Sequence, residues 1–137
     1  ARGQLEEKDV KYMHKKMEYL LGIKSAKLDA IYFCPHHPDK GFPGENKIYK
    51  TVCNCRKPKP GLYLQAQERF NIDLSQSVYI GDTTRDVAVT KEVGGTSILL
   101  KCGLGGKDKK YDVEPDYMCN NLYHAVKTIL EPKDKLW

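Results

Sequence analysis

Between positions 34 and 59 the chain carries Pro35, Pro38, Gly41, Pro43, Gly44 and Pro58. Cys34-Pro35-His36-His37 opens the stretch, and Cys53-Asn54-Cys55 lies near its end. Proline removes backbone donors and glycine raises the entropy of ordering, so a connection this long does not hold a shape without local support. The donors supply a route to that support. Residues at i and i+2 of an extended segment point to the same side, so Cys34 with His36, and Cys53 with Cys55, can each present two ligands together. Three thiolates and one imidazole make a closed tetrahedral zinc site of the structural type, over a loop of about 34–55. His36 shares the i, i+2 spacing with Cys34 and is preferred as the ligand, with His37 as the alternative. A chance cysteine cluster and a C-x-C redox pair are the competing readings. A closed site has no open position for substrate, so this metal is expected to be architectural.

Five cysteines suit a disulfide framework poorly. The chain has 137 residues, enough for one domain. It contains no run approaching the roughly 18 apolar residues that cross a bilayer. Its first residues have no apolar segment of signal-peptide type, so a soluble, cytoplasmic protein without membrane partners is expected. Net charge is +5. That favours anionic ligands, whether phosphates or nucleic acid, and does not choose between them.

Residues 4–21 read as an amphipathic core helix, with Val10, Met13, Met17, Leu20 and Leu21 at helical spacing. Residues 29–33 (DAIYF) read as a short buried strand. A second helix starts at Pro60, where a missing N–H costs nothing. A strand over 77–82 is followed by a helix over 84–95 that stops at Gly94 or Gly95, then by a strand over 96–100. A last helix runs from Asn120 to Leu130. Alternating strands and helices of these lengths predict an α/β protein with a parallel sheet.

Two features carry phosphate chemistry. Arg56-Lys57-Pro58-Lys59-Pro60-Gly61 opens a helix, and a helix N-terminus beside cations is an anion site. An ordinary basic loop is the alternative. In V-Y-I-G-D-T-T-R-D, an apolar strand delivers Asp82 at its carboxyl end, where open parallel sheets place their ligands. A carboxylate beside cations suits Mg²⁺, which takes one or two carboxylates together with phosphate oxygens and water. Asp86, on the first helical turn, can support that ion from its second coordination shell, or simply cap the helix.

Taken together, CPHHP, CNCRKPKPG and YIGDTTRD resemble the haloacid dehalogenase superfamily of phosphatases. More narrowly they resemble its zinc-containing branch, which holds the D-glycero-D-manno-heptose bisphosphate and histidinol-phosphate phosphatases. The resemblance implies a Rossmann-like three-layer parallel sheet and a Mg²⁺-dependent phosphomonoesterase acting on a small phosphorylated sugar. It makes Lys57 the phosphate-neutralising lysine, Asp82 the magnesium ligand, and Arg56, with Lys59, substrate contacts. Cys34, His36, Cys53 and Cys55 become the zinc ligands. Thr83 departs from the basic residue that many relatives place after the magnesium aspartate.

A larger departure concerns the nucleophile. The superfamily uses two aspartates two residues apart after its first strand, and no two aspartates here are two apart. The superfamily's Thr/Ser phosphate motif is missing as well. The expectation is therefore a partial phosphatase domain over 1–137, with its first strands missing and inactive by itself. It would be a monomer if complete, and otherwise would need an N-terminal fragment or an exchanged segment. A zinc-stabilised basic nucleic-acid-binding module is the non-enzymatic alternative, but it leaves the strand-borne Asp82 without a role; no nucleic-acid partner is expected.

Overall fold

A computed structural model of the chain describes residues 1–131. Contacts cluster into two compact units, Ala1–Arg56 and the residues from Lys57 onward.

The first unit holds helix α1 (Glu7–Gly22), a 3₁₀ turn (Lys47–Tyr49) and otherwise irregular chain. α1 begins because its local chemistry favours a start: the Glu6 N–H donates to the Asp9 carboxylate at 2.9 Å, satisfying an otherwise orphaned amide. Two expectations are corrected here. α1 is not a core helix, since none of its residues is buried, and Met13 and Leu20 are 55% and 48% exposed. Helical spacing of apolar residues creates a stripe, but only a packed neighbour buries it. Nor do residues 29–33 form a strand; they lie outside any ladder among the described residues. A short apolar run becomes a strand only when a partner edge is available to pair its backbone.

The second unit is α/β. Helix α2 (Gly61–Phe70) ends on Asn71 in the left-handed region (φ 52°), and a 3₁₀ turn at Leu74–Gln76 leads into strand β1 (Val78–Gly81). Helix α3 (Thr84–Val93) stops on Gly94 at φ 81°, as the sequence predicts. Strand β2 (Thr96–Leu100), strand β3 (Tyr117–Cys119) and helix α4 (Leu122–Leu130) follow. The sheet is parallel throughout in the order β1-β2-β3, with Ile80 opposite Ile98 and Leu99 opposite Met118. Parallel strands need crossovers, and α3 supplies the one between β1 and β2.

Ile98, Cys119 and Ala125 are buried together, with Ile80 and Leu100 packed on them. Val87 and Val89 of α3 are 2% and 0% exposed. β3 is too short for a periodicity signal, and the sequence did not reveal it. Asp116 holds it in place: its carboxylate accepts from the Ser97 N–H (2.7 Å), the Ser97 hydroxyl (2.6 Å) and the Lys91 ammonium (2.7 Å).

Candidate functional site

In the first unit the four residues expected to ligate a metal converge. Cys34, His36, Cys53 and Cys55 place one donor atom each within 4.8 Å of one another. Sγ–Sγ separations are 3.6 Å for Cys34–Cys53, 3.1 Å for Cys34–Cys55 and 3.3 Å for Cys53–Cys55. His36 Nδ1 lies 3.2 Å from Cys55 Sγ and 3.7 Å from Cys34 Sγ. With zinc–sulfur bonds of about 2.3 Å, a tetrahedron has sulfur–sulfur edges of about 3.8 Å, so the set fits one ion after a slight expansion. These separations are far too long for disulfides, and all five cysteines are free.

The ionisation of the thiols points the same way. Burial raises both Cys53 and Cys55. Hydrogen bonds from neighbouring sulfurs bring Cys53 down to about 7, whereas the same neighbours help push Cys55 up to about 12. A thiolate at Cys53 disfavours a second one at Cys55 beside it, and a divalent cation removes that conflict.

His36 joins this group and His37 does not. The His37 ring packs against Phe42 at 5.3 Å, and its Nδ1 lies 3.7 Å from the Asp39 carboxylate. Arg56 follows the last cysteine directly, and its guanidinium Nη1 donates to the His36 carbonyl at 3.0 Å, tying it to the ligand loop.

In the second unit three of the residues expected to take part in phosphate chemistry, Lys57, Asp82 and Asp86, gather where β1 meets α3. Asp82 follows the last residue of β1, at the carboxyl edge of the sheet. One of its oxygens, Oδ2, accepts from the Leu104 N–H at 2.8 Å; Oδ1 has no hydrogen-bond partner among the described residues. A carboxylate with one free oxygen fits a magnesium ligand. Asp86 does two jobs. Its Oδ2 accepts from the Thr83 N–H (3.1 Å) and hydroxyl (2.6 Å), closing a capping box, while its Oδ1 pairs with the Lys57 ammonium. Burial raises the Asp86 carboxyl, but hydrogen bonds from Lys57 and Thr83 outweigh it and leave the group below its ordinary value. Tyr63 of α2 is pushed up to about 12 by burial and by the Asp86 charge, so it stays neutral. Lys59 is exposed.

Gly81 is required here because a Cβ at that position would run into the Asp86 carboxylate. Sequence reasoning missed Gly103 and Asp108. A Cβ on Gly103 (φ 67°) would collide with the Asp82 carboxylate. Asp108 accepts from the Thr84 N–H at 2.8 Å and from its hydroxyl at 3.0 Å. These contacts link residues more than twenty positions apart, and no local pattern announces them.

A parallel sheet with a carboxylate at its carboxyl rim, and a lysine clamped to the helix that follows, defines an α/β protein of the class that binds its ligands outside the carboxyl ends of its strands. The model of the HAD-hydrolase-like family matches residues 54–125, and the chain belongs to that family. Among curated relatives, it is 39% identical over 127 residues to the D-glycero-beta-D-manno-heptose-1,7-bisphosphate 7-phosphatase of Photorhabdus laumondii, covering 92% of this chain and 63% of the relative. It is 38% identical over 104 residues to the enzyme of the same name from Vibrio cholerae, covering 75% of this chain and 54% of the relative. Among solved structures, it matches a D,D-heptose 1.7-bisphosphate phosphatase from B. bronchiseptica, complexed with magnesium and phosphate. That match has a TM-score of 0.72 and 29% identity, over 88% of this chain and 63% of that one. The chain thus spans between about half and two thirds of the length of these relatives.

Proposed function

We propose that the chain is the zinc-bearing part of a Mg²⁺-dependent sugar-bisphosphate phosphatase, of the D-glycero-D-manno-heptose 1,7-bisphosphate type. Both units would belong to one phosphatase domain. The observation that carries this reading is the Lys57–Asp86 pair, on the turn that also presents Asp82 at the sheet's carboxyl edge. The names of the relatives favour a sugar bisphosphate over histidinol phosphate.

In this reading Lys57 neutralises the transferring phosphoryl group, and Asp86 holds the lysine in place. Magnesium, held by the free oxygen of Asp82, supplies charge stabilisation at the phosphoryl oxygens when bound. Arg56 and Lys59 hold substrate oxygens. The zinc set braces the loop that carries Arg56 and takes no part in the reaction. The covalent step needs a nucleophilic aspartate outside these residues, because the sequence contains no pair of aspartates two apart. We place the enzyme in the cytoplasm, where thiolate ligands stay reduced. No helix among the described residues is long and apolar enough to cross a membrane.

The test is kinetic, in the protein joined to a nucleophile-bearing segment. Lys57→Ala should lower turnover by about a hundredfold or more, the scale of losing a preorganised charge at a transition state. Asp82→Asn should abolish the magnesium dependence or the activity. Full turnover in both variants would sink the assignment. The 137-residue chain alone should release no phosphate from a sugar bisphosphate, and release would reveal a nucleophile among these residues.

A further inference from the structure

Resting on the phosphatase reading above, we propose that the loop from Lys101 to Tyr111 is a clamp for a second anion. It would hold the phosphate that is not hydrolysed and so select doubly over singly phosphorylated sugars.

The loop is fastened to the rim of the sheet. Leu104 N–H donates to Asp82 Oδ2 at 2.8 Å, and Gly106 N–H donates to the Asp82 carbonyl at 2.9 Å. Further along, Asp108 takes the Thr84 N–H and hydroxyl, and the Thr84 Oγ1 accepts from the N–H groups of Lys110 (3.2 Å) and Tyr111 (3.3 Å). Both halves of the loop are therefore held by the residues that flank the start of α3.

Its charge is unbalanced. The loop contains Lys101, Lys107, Lys109 and Lys110 against a single acid, Asp108, whose oxygens are engaged by Thr84 and approached by Arg85 Nε at 3.8 Å. All four lysines are exposed, and none has an ion-pair partner among the described residues. Lys57 and Lys91 of the same unit, by contrast, are each paired with an aspartate. Like charges held on one fastened loop repel one another, and a bound dianion relieves that repulsion. The N-terminus of α3 does not compete for it, because the amides of Thr83 and Thr84 are already taken by Asp86 and Asp108. A substrate with two phosphates needs a second group of cations apart from Lys57, and this loop supplies them beside Asp82.

The experiment is calorimetric titration of the chain, in magnesium buffer, with D-glycero-D-manno-heptose 1,7-bisphosphate and with the corresponding 7-phosphate. The parent chain should bind the bisphosphate at least about tenfold more tightly, the scale of charge-assisted contacts to one more phosphate. Lys107→Ala, Lys109→Asn and Lys110→Ala combined should bind the 7-phosphate like the parent and lose that preference. Asparagine is chosen because residue 109 has φ 41°, a conformation it tolerates. Replacing all three lysines with arginine should restore the preference, which a purely structural role would not require. An undiminished preference in the first variant overturns the clamp and leaves the phosphatase reading intact. That reading has its own control: Lys57→Ala should weaken both ligands alike, and unchanged binding there overturns the reading itself, whereas failure of the parent chain to bind the bisphosphate overturns the clamp.

Discussion

Residues 1–56 and the residues from Lys57 onward are held together by different physics. In the first unit His37 is the one buried residue among those described. In the second, Leu74, Val87, Val89, Ile98, Leu99, Cys119 and Ala125 are all buried. Burial of apolar area stabilises the sheet unit by the usual route. The first unit has almost none to offer, and in its place it brings three thiols and an imidazole to within coordinating distance of one another. A chain can thus fix a Pro- and Gly-rich segment without a core, provided that four donors from its two ends share one ion.

The largest expected effect breaks this contrast outright. Metal analysis should find one zinc per chain. Removing it by chelation, or combining Cys53→Ser with Cys55→Ser, should unfold the first unit while the sheet persists. The loss is on the scale of about 10 kcal/mol of apparent metal-binding energy. Amide chemical-shift dispersion of the two units reports the outcome, and dispersion retained in residues 34–55 of the metal-free chain would contradict the division. The opposite test is a core truncation. Ile98 is 2% exposed, so Ile98→Ala should destabilise the sheet unit by about 3 kcal/mol in a urea titration. It should leave zinc content unchanged.

A smaller effect sharpens the account of the sheet. Asp116 is held well below the usual carboxylate range by hydrogen bonds from Lys91 and Ser97. A carboxylate whose folded value lies below its unfolded one stabilises the fold above about pH 4, and that stabilisation fades as pH falls further. Asp116→Asn should therefore cost about 1 kcal/mol near neutrality, after allowance for solvent screening of a partly exposed pair. The difference from the parent should shrink steadily as pH falls below about 4, as read by thermal melts across the acid range. The smallest effect is one of absence. If the basic charge serves phosphate chemistry and not a nucleic acid, retention on single-stranded DNA should be weak and without the steep salt slope of phosphate-backbone binding.

Much of this organisation is legible in the residues themselves. The helices at 7–22, 61–70, 84–93 and 122–130 lie within a few positions of where apolar spacing, Pro60 and Gly94 put them. C-x-H and C-x-C announce a converging set of donors because donor type and i, i+2 spacing are local properties. For the same reason Asp82 could be read at the end of an apolar strand. Other features were not legible. The apolar stripe of α1 predicts burial, yet the helix is exposed, and residues 29–33 pair with no strand among those described. Burial and pairing depend on what lies opposite, and a single segment does not encode its neighbour.

The sequence alone determined which segments turn into helices, which side chains can ligate a metal, and that a carboxylate stands at the rim of a parallel sheet. Those are consequences of backbone sterics and short-range spacing. The tertiary structure decided that His36 and not His37 faces the thiols, that Asp86 clamps Lys57, and that Leu104 and Asp108 fasten a lysine-rich loop beside Asp82. Each of these is a choice between partners close in space but distant in sequence, and only the folded chain makes them neighbours.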